Sequence, residues 1–245
     1  VNNPVWSPDG KYIAARKHFT STRSAGAGEI WLYHTSGGQG VQLTERKNDQ
    51  QDVNEPFFHP DGSKIWFSED MYPGGYFQYN KDPNSQIYMS RSYDFSQGKV
   101  KNEVTGPGGA VRPTPSHKGD QLAFVRRVRT QTVLFVQDVV SGKAKAVYAE
   151  LDKDQQEAWA IFGVYPGFAW SPDDKHIYIW AKGGIQKVDL SSGEAISIPF
   201  EAKVQQVVKP ALRFKQDKLE QRFYAKAIRH MCSHPEGGAR IFHAA

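Results

Sequence analysis

A five-residue turn sequence returns along the chain at a nearly constant interval, and this repetition restricts the possible folds more than any other feature. Trp6-Ser7-Pro8-Asp9-Gly10 recurs as Phe58-His59-Pro60-Asp61-Gly62, Pro115-Ser116-His117-Lys118-Gly119 and Trp170-Ser171-Pro172-Asp173-Asp174, and more weakly as Ser233-His234-Pro235-Glu236-Gly237. The central positions, Pro8, Pro60, His117, Pro172 and Pro235, are separated by 52, 57, 55 and 63 residues. Each residue type contributes mechanically, in that Ser or His opens a turn, Pro presets φ near −65°, Asp bonds the backbone and Gly accepts the left-handed exit.

The runs on either side of each turn are rich in β-branched and aromatic residues. Pro4-Val5-Trp6, Pro56-Phe57-Phe58 and Phe168-Ala169-Trp170 precede the turns, and Lys64-Ile65-Trp66-Phe67, Gln121-Leu122-Ala123-Phe124-Val125 and His176-Ile177-Tyr178-Ile179-Trp180 follow them. A third apolar run and a polar SGGQG-, SQGK-, SGK- or SSGE-type turn lead to a fourth. Four short antiparallel strands reiterated at this period predict an all-β fold, a β-propeller of four-stranded blades. A sandwich has short strands too, but no reason to repeat one turn at this spacing. No long amphipathic helix competes. Residues 155–161 could form a turn or two, and residues 215–227 are ambiguous.

Strand counting gives blades at 4–45, 55–105, 111–150 and 167–200 and the first two strands of a fifth at 221–245. About four and a half blades do not close a ring, so 1–245 is expected to be part of a larger propeller of six or seven blades. Its two open edges would then seek further polypeptide or a second copy, because unpaired sheet edges recruit partners.

The remaining composition narrows the function classes. No run approaches the roughly 18 apolar residues of a membrane-spanning helix, and VNNPVWSPDG resembles no secretory leader. The net charge of +5 is spread along the chain, whereas a phosphate track needs a concentrated stripe; no nucleic-acid partner is expected. The single cysteine, Cys232, excludes an internal disulfide framework.

The repeated turn, with its I-W-L-Y and I-Y-M third strands, resembles the TolB-like propeller repeat. Asn2 to His18, Gly28-Glu29-Ile30-Trp31-Leu32-Tyr33, Gly109-Ala110-Val111-Arg112-Pro113-Thr114-Pro115, Phe124-Val125-Arg126-Arg127-Val128-Arg129 and Gly163-Val164-Tyr165-Pro166 are similar to the amino-terminal propeller of exported bacterial amidohydrolase-family proteins. That resemblance implies a periplasmic or secreted location and a parent that hydrolyses C–N bonds with a divalent metal. The His and Asp motifs for such a metal are not in this sequence, so no catalytic residue and no cofactor is carried onto it. The metal would belong to a downstream domain. The third and fifth turns, SHKG and SHPEGG, depart from the pattern and are expected to be looser.

Several residue groupings invite a chemical reading. His230 and His234 flank Cys232, but on a strand such residues lie roughly 13 Å apart, and no metal site is expected there. Asp152, Asp154 and Glu157 lack the glycine and alternating ligands of a calcium loop. No G-x-S-x-G elbow or phosphate-binding glycine loop occurs. Trp6, Trp31, Trp66, Trp170 and Trp180 recur with the repeat and are expected to pack between blades.

The insertions 19–28, 70–85 and 151–166 interrupt the repeat. Such insertions commonly carry binding surfaces. Tyr72, Tyr76, Phe77, Tyr79, Trp159 and Tyr165 make them aromatic, and Tyr76, Trp159 and Tyr165 are candidates to contact a ligand or partner. Arg112, Arg126 and Arg127 are candidates to hold a carboxylate at the channel mouth, the alternative being buried salt bridges between blades. Three functions follow: a non-catalytic scaffold, gate or docking surface of an amidohydrolase-like enzyme; a TolB-like protein-binding module without enzymatic activity; or the propeller of a prolyl-oligopeptidase-type peptidase. The partner is accordingly a downstream catalytic domain or another protein.

Overall fold

The computed structural model describes residues 1–19, 27–48, 51–71, 81–158, 160, 162–213 and 226–244. Two units are distinguished, Val1–Phe200 and Glu201–Ala245. All regular structure among the described residues is β-strand.

The first unit is four antiparallel four-stranded blades in a propeller arrangement. Blade 1 comprises β1 (Asn2–Trp6), β2 (Tyr12–Phe19), β3 (Ala27–His34) and β4 (Val41–Gln42); blade 2 comprises β5 (Val53–Phe58), β6 (Lys64–Asp70), β7 (Tyr88–Asp94) and β8 (Lys99–Val104). Blade 3 is built from β9 (Val111–Pro115), β10 (Gln121–Val128), β11 (Gln131–Asp138) and β12 (Ala144–Leu151); blade 4 from β13 (Ala169–Trp170), β14 (His176–Ala181), β15 (Gly184–Asp189) and β16 (Ala195–Ile198). Within every blade the strands pair in chain order, so each is a simple meander. In the second unit β17 (Ile228–Ser233) and β18 (Arg240–Ala244) form one hairpin. Residues 156–158 form a turn and not a helix.

The repeated turn joins the first two strands of each blade. In blade 1 the Gly10 amide donates to the Ser7 carbonyl at 2.9 Å, Ser7 Oγ donates to Asp9 Oδ1 at 2.6 Å, and the Tyr12 amide returns to Ser7 Oγ at 2.9 Å. The third turn is not loosened by its SHKG sequence. Gly119 still closes on the Ser116 carbonyl at 3.0 Å, and Asp120 takes over the carboxylate's place by accepting from Ser116 Oγ at 2.9 Å. His117 then fastens this turn to blade 4, where Asp174 accepts from both its amide, at 2.9 Å, and its ring Nδ1, at 2.7 Å.

Packing between blades forms the core. Trp66 is fully buried with Leu122 and Phe124 of blade 3, and the Trp170 indole donates to the Thr114 carbonyl of blade 3 at 3.0 Å. Three of the expected packing tryptophans behave otherwise. Trp6 is 61% exposed, because among the described residues no blade packs on the face that Trp170 presents to blade 3. Trp180 is 37% exposed, since Ile179 and Ala181 on either side of it take the inward face of β14 and alternation sends Trp180 the other way. Trp31 is half-buried and carries the Lys17 ammonium 3.5 Å from its ring centre.

Candidate functional site

The first strands of neighbouring blades lie side by side, β1 against β5 and β5 against β9. On each of these three strands, four residues before the turn's carbonyl acceptor, stands a non-glycine residue in the left-handed region: Asn3 at φ 49°, Glu55 at 57° and Arg112 at 56°. The strand pairing slips at each of them, between Asn2 and Val5, between Asn54 and Phe57, and opposite Ala123 to Val125. Each is therefore a β-bulge. Each also precedes a proline (Pro4, Pro56 and Pro113), which ordinarily confines the preceding residue to extended backbone. A conformation so sparsely populated persists only where its surroundings fix it. His230, φ 56°, holds the same register position in the hairpin of the second unit, and in blade 4 the position is Gly167.

Glu55 shows what does the fixing. Its side chain is fully buried and its two oxygens gather donors from three segments. Oε2 accepts from Ser68 Oγ at 2.6 Å and from the Arg112 amide at 2.7 Å; Oε1 accepts from the Val164 amide at 2.6 Å and lies 3.4 Å from Arg112 Nη2. Arg112 in turn donates from Nε and Nη2 to the Tyr165 carbonyl, at 3.0 and 2.7 Å. Asn3 Nδ2 donates to Asn54 Oδ1 at 2.7 Å, and Asn54 reaches the Ala160 carbonyl at 3.4 Å. The bulged residues thus bind blades 1, 2 and 3 together and hold the 151–166 insertion against them. Gly163, at φ 109°, is needed here, since a Cβ would collide with Arg112 Nη2 and crowd Glu55 Oε1.

Beside this cluster, Arg16 Nε donates to Asp52 Oδ1 at 2.7 Å with both side chains buried. Burial pushes the Asp52 carboxyl up to about 7 against the opposing pull of the Arg16 guanidinium, with Asp70 adding to the rise. Gly28 leaves room for that guanidinium, which a Cβ would strike.

Among the sequence candidates, Arg112 and Tyr165 are brought into direct contact. Tyr165 is buried, its hydroxyl donates to the Trp180 carbonyl at 2.7 Å, and burial raises its pKa. Arg126 and Arg127 are successive strand residues and diverge to opposite faces. Arg127 is spent on Asp154, through Nε and Nη2 at 2.7 and 2.8 Å, and on Glu157 at 3.1 Å. Arg126 donates to the Gly109 and Thr105 carbonyls at 2.8 and 2.9 Å and lies over the Phe124 and Phe135 rings. The three arginines share no hydrogen-bond partner among the described residues. Tyr76 and Trp159 lie outside the described residues, as do Tyr72, Phe77 and Tyr79.

Sequence reasoning missed Glu55, Asn54, Asp52 and Arg16. A signal for the first was present in the Asn-Pro, Glu-Pro and Arg-Pro dipeptides at one fixed offset from the repeated turn. Chemically, the cluster offers Arg112 Nη1, which makes no hydrogen bond among the described residues and can donate to an oxygen of a ligand. No group of three or more His, Cys, Asp or Glu among the described residues is placed to hold a metal ion.

No family model and no curated protein matches the chain. Solved structures do. TolB from Acinetobacter baumannii superposes with a TM-score of 0.58 at 18% identity, over 78% of this chain and 41% of that one. A protein assigned to TolB from Agrobacterium tumefaciens gives 0.54 at 17% identity, over 80% and 64%. An oligogalacturonate lyase in complex with manganese gives 0.50 at 16% identity, over 73% and 44%. The chain therefore spans less than two thirds of the length of each. At these identities the likeness establishes the fold, a TolB-like β-propeller.

Proposed function

From the premise of a TolB-like propeller, we propose that the chain is a non-catalytic scaffold and docking surface of an exported, amidohydrolase-like enzyme whose reactive centre lies in other polypeptide. One observation carries this reading: Glu55 on β5 and Arg127 on β10 are taken up in holding blades and insertion together. Glu55 accepts from three segments, and Arg127 is taken up by Asp154 and Glu157. Such an arrangement makes a rigid face; it does not leave a nucleophile beside a base. The docking surface is the 151–166 insertion with Arg112, whose Nη1 supplies one charge-assisted contact to a partner's carboxylate or carbonyl. Arg127 anchors it through Asp154 and Glu157, Tyr165 fixes its base, and Tyr76, Trp159 and Arg126 are further candidates to contact the partner. A divalent metal, in this reading, is held by the catalytic domain. The periplasm is the compartment the reading implies.

The fold likeness to TolB favours a second reading, a protein-binding module with no enzyme attached. The coding sequence beyond codon 245 separates the two. The first reading expects further blades and then a barrel bearing clustered His and Asp metal ligands. A stop codon soon after the ring is complete would favour the second, and a G-x-S-x-G elbow would overturn both in favour of a serine peptidase. With the downstream domain expressed separately, Arg112→Ala should weaken its association with this chain about tenfold, the loss of one charge-assisted bond.

A further inference from the structure

The three blade-to-blade contacts of the first unit are not covered alike. Between blades 2 and 3 Trp66 is buried against Leu122 and Phe124, and between blades 3 and 4 Ala123 and Trp170 share one buried cluster. Between blades 1 and 2 Ala14, Phe58 and Ile65 form a smaller buried cluster, and Leu32 and Leu43 beside it are only partly covered.

The turns repeat the contrast. His59 closes the rim between blades 2 and 3 by lying against Gly119, where a Cβ would come within 2.6 Å of its Nε2. His117 closes the next rim through Asp174. Blade 1 has Ser7 where blade 2 has His59. Beside the blade 1–2 cluster lies a cavity of about 630 Å³, walled by Tyr12, Leu32, Leu43, Phe58, Tyr93 and Phe95. That size falls within the range of ligand-binding clefts.

The charged groups lining this cleft have one sign. Asp9 and Asp61, the turn carboxylates of the two blades, both line it. Through Oδ1, Asp9 accepts from Ser7 Oγ and the Lys11 amide, and Asp61 accepts from the Ser63 amide and pairs with His59 Nδ1. Apolar walls beneath two carboxylates match a bulky side chain adjoining a cation.

We propose that this cleft is a docking site for a segment of a partner protein, one that seats an aromatic side chain between blades 1 and 2 and presents a neighbouring lysine or arginine to Asp9 and Asp61. The site is separate from the inner-strand cluster, and it stands whether or not a catalytic domain follows.

Titration of the full chain with acetyl-Trp-Lys-amide and acetyl-Trp-Glu-amide, followed by calorimetry or tryptophan-quenching competition, tests it. The lysine peptide should bind about tenfold more tightly than the glutamate peptide, one charge-assisted contact's worth. Asp9→Asn combined with Asp61→Asn should erase that preference while leaving the residual apolar affinity. Val41→Trp, at an exposed lining position where a larger ring occupies the cleft, should abolish binding of both peptides. Should Val41→Trp fail to fold, Phe95→Ala, at the partly exposed wall, should weaken both peptides about equally. Equal affinity for the two peptides, no binding by either, or binding indifferent to both Val41→Trp and Phe95→Ala would overturn the proposal. Tight binding of free tryptamine without binding of the lysine peptide would also overturn it, since it would indicate a small-molecule site.

Discussion

Replacing Glu55 with alanine should destabilise the propeller far more than a single side chain on a short inner strand suggests. The carboxylate is fully buried and holds three donors at 2.6 to 2.7 Å: Ser68 Oγ, the Val164 amide and the Arg112 amide. After truncation the Ser68 hydroxyl can turn, and the Arg112 amide keeps that hydroxyl as a second acceptor at 2.9 Å. The Val164 amide keeps nothing, and a buried orphan donor costs about 1–3 kcal/mol. The Arg112 guanidinium, only 14% exposed, loses its carboxylate as well, and breaking a buried pair from one side brings the total to about 3–5 kcal/mol. For a unit of this size that is a fall in Tm of about 6–20 °C. Circular dichroism melts read the shift, and hydrogen exchange locates it, with the Val164 amide losing protection first. A fall below about 2 °C, or an unchanged Val164 amide, would show that the hub does not hold the insertion to blade 2.

Three further outcomes follow from the geometry. The Asp52 carboxyl rises from 3.8 to about 7 on folding, so the folded state binds the proton more tightly; the associated stability is whole below about pH 4 and is lost as pH climbs through 7. Asp52→Asn should therefore flatten the decline of Tm between about pH 5 and 8, and parallel slopes in the two proteins would refute the assignment. Trp66→Ala removes a fully buried ring and should cost about 3–5 kcal/mol, whereas Trp6→Ala, at the equivalent of Trp170 but 61% exposed, should cost under about 1 kcal/mol; equal losses in urea melts would contradict the packing described. Arg127→Met leaves Asp154 buried without its cation, and limited proteolysis should then cleave within 151–166 at least about fivefold faster, an unchanged rate counting against the salt-bridge anchor.

What was legible in the sequence was what is local. The turn bonds run over five residues or fewer, so Ser7, Pro8, Asp9 and Gly10 announce themselves, and the strands on either side follow from alternation. The third turn misled because its carboxylate had moved to Asp120, one position beyond the repeated motif. Trp6 and Trp180 misled for a different reason: aromatic identity does not reveal which neighbour covers a ring, and strand parity counted from the turn would have sent Trp180 outward. Glu55 was invisible because the amide it serves lies 109 residues away, and no local pattern encodes such a partner. The insertion 151–166 stood out as a break in the repeat, but its tie to blade 2 did not.

That tie bears on how the molecule comes apart. A stack of modules that touch only their immediate neighbours melts like a row of dominoes, each loss being a nearest-neighbour event. Here the strap between the third and fourth modules is buckled to the second, skipping over one. Modules two to four should consequently open in a single concerted step while the first frays ahead of them, and the buckle, which joins such distant stretches of chain, should be among the last contacts made during folding.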